Sequence, residues 1–66
     1  MEVTVNGKPQ SLPEGLSVEA LLDRLGHADK RVAVERNGEI VPRSLHAAQQ
    51  LSAHDRIEIV HAIGGG

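Results

Sequence analysis

The sequence predicts an α+β domain, a mixed four- to five-stranded sheet packed on one helix. Segments that alternate polar and apolar residues, such as EVTV at 2–5, are typical of strands with one buried face. Two Asn-Gly pairs, at 6–7 and 37–38, are the dipeptides that tight hairpin turns prefer. One stretch, 18–25, has helical spacing, and one helix covers only one face of a sheet.

The first hairpin is predicted over residues 2–6 and 8–12. Val3 and Val5 share one face of its first strand, and Asn6-Gly7 supplies the positive φ angles of a type I′ turn. Pro9 has no amide hydrogen to donate, so the return strand is expected at an edge of the sheet.

The helix is predicted over residues 18–25. Ser17 is its expected N-cap, and Gly26 fits the left-handed position just past its C-terminus. The apolar stripe follows the i, i+3, i+4, i+7 pattern. It consists of Val18, Leu21, Leu22 and Leu25.

In the second half of the chain, RVAVER predicts a third strand, and EIV predicts a short strand that Pro42 ends. One helical turn with Ser44 as its N-cap is expected next, and RIEIVH predicts the last strand. If the last strand lies beside the first, parallel and central, the helix becomes the crossover that covers the sheet. This is the ubiquitin-like β-grasp. We expect a single β-grasp domain over residues 1–66, with 63–66 as a flexible functional C-terminal tail.

Composition disfavours several classes of protein. The 66 residues carry a formal net charge of −2 with interspersed signs, whereas nucleic-acid binding usually shows a basic face. No apolar run approaches the roughly 20 residues of a membrane span, and the start lacks the features of a signal peptide. Cysteine is absent, so no thiol nucleophile, disulfide or thiolate metal site can form. These features predict a cytoplasmic protein.

Internal side chains do not suggest catalysis. The histidines, His27, His46, His54 and His61, lack metal-ligand spacing and are expected to be exposed. Asp55, Arg56 and Glu58 are interpreted as a solvated charged edge that blocks edge-to-edge pairing. Neither Asn-Gly turn has the residues of a phosphate loop. We therefore predict no catalytic residue, no metal site and no enzyme activity.

The closing glycines, Gly64, Gly65 and Gly66, allow three interpretations: a frayed end, an expression remnant, or a functional carboxyl group. Four extended residues, Ile63 to Gly66, would reach about 13 Å, enough to enter a narrow channel of a partner. Glycine lacks Cβ, so a partner can approach its backbone closely. A carboxylate must be activated before it reacts, and the chain would then be a substrate.

Four stretches that span nearly the whole chain resemble the prokaryotic β-grasp sulfur carriers, above all the ThiS family of thiamin biosynthesis. They are VTVNGK at 3–8, SVEALL at 17–22, VAVERNGEIVPR at 32–43 and DRIEIVHAIGGG at 55–66. The VERNGEIVPR segment and the IEIVHAIGGG ending are the more specific ones.

The resemblance implies a function carried by Gly66. An E1-like adenylyltransferase (ThiF) would use ATP to adenylate the Gly66 carboxylate. Sulfur from a cysteine desulfurase would then convert it to a thiocarboxylate, and thiazole synthase (ThiG) would receive that sulfur. Gly64, Gly65 and Gly66 would enter the partners' active sites. No cofactor would be bound; the sulfur would be covalent.

The partner interface is expected at Glu58, Val60, Ala62 and Ile63, where ordinary strand packing is the alternative interpretation. Other functions remain open at this point. The chain could be the small subunit of a molybdopterin synthase, a protein modifier joined to lysines, or a TGS-like binding module. Neither nucleic acid nor a membrane is an expected partner.

Overall fold

The computed structural model describes residues 1–27 and 31–61. In chain order, the strands and the helix are β1 (Glu2–Val5), β2 (Lys8–Ser11), α1 (Val18–Arg24), β3 (Val32–Arg36), β4 (Glu39–Val41) and β5 (Arg56–His61). A short 3₁₀ turn, Arg43–Leu45, follows β4. The expected tail, 63–66, lies outside the described residues.

The described strands form a five-stranded sheet in the order β2-β1-β5-β3-β4. β5 is parallel to β1 and antiparallel to β3, while β2 and β4 are the edges. The predicted β-grasp, with the last strand at the centre beside the first, is confirmed. Pro9 lies in the edge strand β2, where its missing amide hydrogen breaks no inner ladder.

Helix α1 has both of its predicted ends. The Ser17 hydroxyl accepts a hydrogen bond from the Ala20 amide at 3.1 Å, which satisfies one of the free donors of the first turn. Gly26 has φ +79°, a left-handed conformation that glycine adopts without strain. The Gly26 amide then donates to the Asp23 carbonyl and the His27 amide donates to the Leu22 carbonyl. This Schellman motif reverses the chain and places His27 beside the end of the helix.

The hydrophobic core lies between α1 and the sheet face that meets it. Its buried side chains are Val3, Val5, Leu12, Val18, Leu21, Leu22, Val34, Val41, Leu51, Ile57 and Ile59. Leu21 and Ile57 are completely buried. Since strand residues alternate between faces, the burial of Ile57 and Ile59 places Glu58 and Val60 on the opposite, open face.

Two sequence-based assignments were wrong. Ser44 is not an N-cap, because the 3₁₀ turn begins after Pro42, whose carbonyl accepts from the Leu45 amide at 2.8 Å without a side-chain cap. Asp55 is not part of a solvated edge, since β5 is central and Asp55 is only 5% exposed.

None of the helices described over 1–27 and 31–61 is both long and apolar enough to cross a membrane.

Candidate functional site

The end of β5 is supported unequally on its two sides. β3 pairs with β5 as far as His61, which lies opposite Val32. β1 pairs only with the beginning of β5, through Thr4 with Arg56 and Val5 with Ile57. The far end of β5 therefore projects beyond β1, and the glycine-bearing segment 62–66 follows directly from it.

Asn6 continues the pairing of β5 where β1 stops. Its side-chain amide donates to the Ile59 carbonyl at 3.2 Å and accepts from the Ile59 amide at 2.7 Å. These two bonds reproduce the pattern of a backbone peptide group, so Ile59, which has Val34 of β3 on one side, is also hydrogen-bonded on the side where β1 has ended. Asn6 can do this from the turn because its positive φ, 50°, is tolerated by asparagine.

The open face beside this strand end carries exposed apolar side chains. Val60 is 58% exposed and lies opposite the exposed Ala33 of β3. Ile40 of β4 is 62% exposed and lies opposite Glu35, one row away. We call Ala33, Ile40 and Val60 the open-face patch. Of its members, the sequence analysis named only Val60. Ile40 could have been found from the alternation in EIV at 39–41: because Val41 faces the core, its neighbour Ile40 faces the opposite side of the strand.

Two carboxylates oppose each other next to this patch. Glu35 of β3 and Glu58 of β5 are direct cross-strand partners, and both are half-buried. Like charges placed directly opposite on a sheet are destabilising. No cation forms a salt bridge with either carboxylate in the part of the chain that the structure describes. A basic group from outside would relieve this repulsion.

Asp55 is a buried residue that lies immediately before β5 and accepts several internal hydrogen bonds. Its carboxylate accepts hydrogen bonds from Arg36 Nε at 2.7 Å, from Asn37 Nδ2 at 3.0 Å and from the Ser52 amide at 2.8 Å. Burial by itself would raise the pKa of Asp55, but these hydrogen bonds and the charge of Arg36 outweigh it and lower the pKa. With all its partners inside the fold, Asp55 is not available for chemistry.

The histidines do not form a metal site in the described residues, where no group of three or more suitable side chains is brought together. The expectation that all four are exposed was wrong for His46, which is 8% exposed and has Nε2 at 3.0 Å from the Val41 carbonyl. His27 and His61 contact each other edge to face, with ring centroids 4.6 Å apart.

A cavity of about 500 Å³ lies along α1. Of the predicted site residues, the two that the structure describes, Glu58 and Val60, do not line it. Its walls mix two carboxylates, one guanidinium and one imidazole with apolar side chains: Glu19, Ala20, Leu22, Asp23, Val32, Arg43 and His46. Because acidic and basic side chains both line the cavity, its charge does not indicate whether a ligand would be an anion or a cation.

The structure thus places Glu58 and Val60 on the same open face and adds Ala33, Glu35 and Ile40 to them, while the predicted partner contacts stay a prediction. The other predicted site residues, Ala62, Ile63, Gly64, Gly65 and Gly66, lie outside the described residues.

Comparison with known proteins points to one family. The ThiS family profile matches residues 3–66. The crystal structure of a thiamine biosynthesis protein (ThiS) from Geobacter metallireducens superposes with a TM-score of 0.86, at 39% sequence identity and with full coverage of both chains.

Two curated relatives named thiazole synthase, from Magnetococcus marinus and Paramagnetospirillum magneticum, are each 46% identical over 66 residues. The chain spans 20% of the length of these relatives. Since the family profile covers nearly the whole sequence and the fold agrees with a solved ThiS structure, the chain belongs to the ThiS family.

Proposed function

We propose that this chain is a sulfur carrier of thiamine biosynthesis and that the sulfur is attached at Gly66. The observation that carries the proposal is the match to the ThiS family over residues 3–66, which includes all three closing glycines. The fold supports it, because segment 62–66 follows directly in the sequence from β5, the central strand of the sheet. The chemistry requires a free α-carboxylate on Gly66.

The proposed reaction has two steps on the chain. In an E1-like enzyme, an oxygen of the Gly66 carboxylate attacks the α-phosphate of ATP, and pyrophosphate leaves. Hydrosulfide then attacks the activated carbonyl and displaces AMP, which leaves a thiocarboxylate and releases one proton. Because the reaction consumes ATP, we place it in the cytoplasm.

The chain's role in this scheme is that of a substrate. Cysteine is absent from the sequence, so no side-chain thiol can hold the sulfur. The buried candidates for acid-base chemistry, Asp55 and His46, are engaged in internal hydrogen bonds. The proposed acceptor of the sulfur is a thiazole synthase. The two relatives of that name support this choice, because a fifth of their length matches this chain.

We also propose that partner enzymes bind the open-face patch. Exposed apolar side chains that lie together on one surface are typical of protein interaction sites. The opposed pair Glu35 and Glu58 adds a preference for a partner with a basic side chain at this position. The predicted contacts Ala62 and Ile63 would extend the interface along the chain toward Gly66.

Intact mass spectrometry tests the carrier function. The full chain is incubated with an E1-like adenylyltransferase, ATP and inorganic sulfide. We expect the mass to increase by the difference between one sulfur and one oxygen atom, and tandem fragmentation to locate the change at Gly66. An unchanged mass with an enzyme that activates its own carrier would contradict the proposal.

Two tail variants provide the controls. Deleting Gly66, or adding one residue after it, should abolish adenylation because the terminal carboxylate is then shifted by one residue away from the reacting phosphate. Both variants should unfold at the wild-type temperature, since the change lies beyond β5. Adenylation of either variant at the wild-type rate would refute the assignment to Gly66.

A further inference from the structure

The contact between His27 and His61 joins the end of the helix to the end of the central strand. The two imidazole rings meet edge to face, with centroids 4.6 Å apart and planes at 87°. This is a favourable arrangement for aromatic rings, and its two members are 34 positions apart in the sequence. His61 is the last residue of β5.

His61 needs such a contact because the sheet supports it weakly. β1 ends at Val5, and the Asn6 side chain extends the pairing only as far as Ile59. On the other side, Val32, the first residue of β3, is the partner of His61. The end of β5 therefore lies at a corner of the sheet, with a strand on one side only.

The position of His27 is determined by the helix cap. Gly26, with its positive φ, turns the chain back, and the His27 amide is held by the Leu22 carbonyl at 2.8 Å. The ring is half-buried, and its Nδ1 is buried without a hydrogen-bond partner among residues 1–27 and 31–61. Since this nitrogen forms no hydrogen bond to His61, the contribution of the His27 ring to the contact is packing.

We infer that His27 is a positioning residue: by packing on His61 it orients the end of β5, and thereby the point from which the Gly66 segment enters a partner's active site. This inference rests on the proposed function. It assigns a role to a residue at the end of the helix, outside the open-face patch.

Three variants of the full chain test the inference. His27→Ala removes the ring, and His27→Phe keeps a flat ring of similar size without the unpartnered nitrogen. His54→Asn is the matched control, because His54 is an exposed histidine in a loop, and asparagine tolerates its positive φ of 69°.

The first measurement does not depend on any enzyme. ¹⁵N relaxation gives the order parameter of the His61 amide. We expect a value of about 0.85 in the wild type and a value below about 0.6 in His27→Ala. His27→Phe and His54→Asn should keep the wild-type value. An unchanged order parameter in His27→Ala would overturn the inference, whatever the function of the chain.

The second measurement is the adenylation of each folded variant, well below its unfolding temperature. We expect His27→Ala to lower kcat about tenfold with an unchanged KM, because the docking surface is intact and only the approach of the reacting end is disturbed. His27→Phe should restore kcat. Equal losses in His27→Ala and His27→Phe, or an equal loss in His54→Asn, would overturn the inference. If the wild type is not adenylated at all, the proposed function fails, while the relaxation data still decide the role of His27.

Discussion

Asp55 joins three parts of the chain through one carboxylate. Arg36 reaches it from the end of β3, Asn37 from the turn between β3 and β4, and Ser52 from the loop before β5. A buried charge is tolerated only when it is paired and hydrogen-bonded, and here the oxygens have three donors. The residue therefore fixes the beginning of the central strand against its neighbour.

The lowered pKa of Asp55 predicts the acid sensitivity of the fold. The folded protein binds the Asp55 proton less readily than the unfolded chain, whose value is 3.8. The stabilisation is therefore fully present above about pH 4 and is lost as the pH falls through the lower folded pKa. Urea unfolding at about pH 7 and about pH 3 should show this loss in the wild type and a smaller one in Asp55→Asn.

The same substitution should be costly at neutral pH. We expect Asp55→Asn to lower the free energy of unfolding by about 2 to 3 kcal/mol, because an amide cannot accept all three bonds and Arg36 loses its counter-charge. Asp23→Asn, which changes an exposed carboxylate on α1, should have little effect on either measurement. Equal stabilities of Asp55→Asn and the wild type would contradict this account.

The sequence did not predict which single polar residues are buried in the fold. Asp55 reads as part of a charged segment, DRIE, and nothing local shows that Arg36 and Asn37 come to meet it. His46 lies among polar and small residues, yet it is buried against the Val41 carbonyl. Both outcomes depend on contacts that exist only after the sheet has assembled.

The turns between strands were predicted well because their chemistry is local. Asn6-Gly7 and Asn37-Gly38 all have positive φ, as a type I′ turn requires. The caps of α1 were also predictable, since Ser17 and Gly26 act on neighbouring backbone groups. The Asn-Gly pattern did not reveal that the asparagine side chains also form hydrogen bonds with the last strand. Asn6 bonds to Ile59, and Asn37 bonds to Arg56 and to Asp55, the residue before β5.

Asn6 allows this second use to be measured. Asn6→Gly keeps the turn, because glycine adopts positive φ, but leaves the Ile59 amide and carbonyl without the side-chain partner. We expect a loss of about 2 kcal/mol in the free energy of unfolding and faster hydrogen exchange at the Ile59 amide.

Gly7→Ala is the control for the turn itself. Its φ of +82° makes alanine strained, while an added Cβ would meet no atom within 4 Å. It should therefore lower stability without a selective effect at Ile59. Selective exchange at Ile59 in Gly7→Ala but not in Asn6→Gly would be inconsistent with the bridging role.

The whole molecule has two unlike sheet faces. One meets α1 and contains the core, and the other presents the open-face patch beside the opposed carboxylates Glu35 and Glu58. The alternation of apolar residues predicted the buried face and the place of Val60. In EIV at 39–41 it indicates only that Ile40 and Val41 face opposite sides of β4. Which residues Ile40 lies beside depends on the register of the edge strand β4 against β3.

The open-face patch can be tested through partner binding. Ile40→Ser with Val60→Ser should raise the KM of adenylation about tenfold and leave kcat unchanged, since apolar contact area is lost while the reacting end is intact. The unfolding temperature should change little because both side chains are exposed.

Lys8→Ser, on the opposite edge strand, should behave like the wild type. A wild-type KM in the double variant would rule out the patch as a docking surface for this enzyme.

The parallel pairing of β1 with β5 also has a consequence for biosynthesis. Thr4 and Arg56 lie side by side in the sheet, so the centre cannot close until nearly the whole domain has left the ribosome. Such non-local contacts slow folding. A nascent chain that stops before β5 leaves β1 and β3 without their common neighbour. A partner that binds the open-face patch, as proposed, would therefore bind only chains in which β5 has taken its place between β1 and β3.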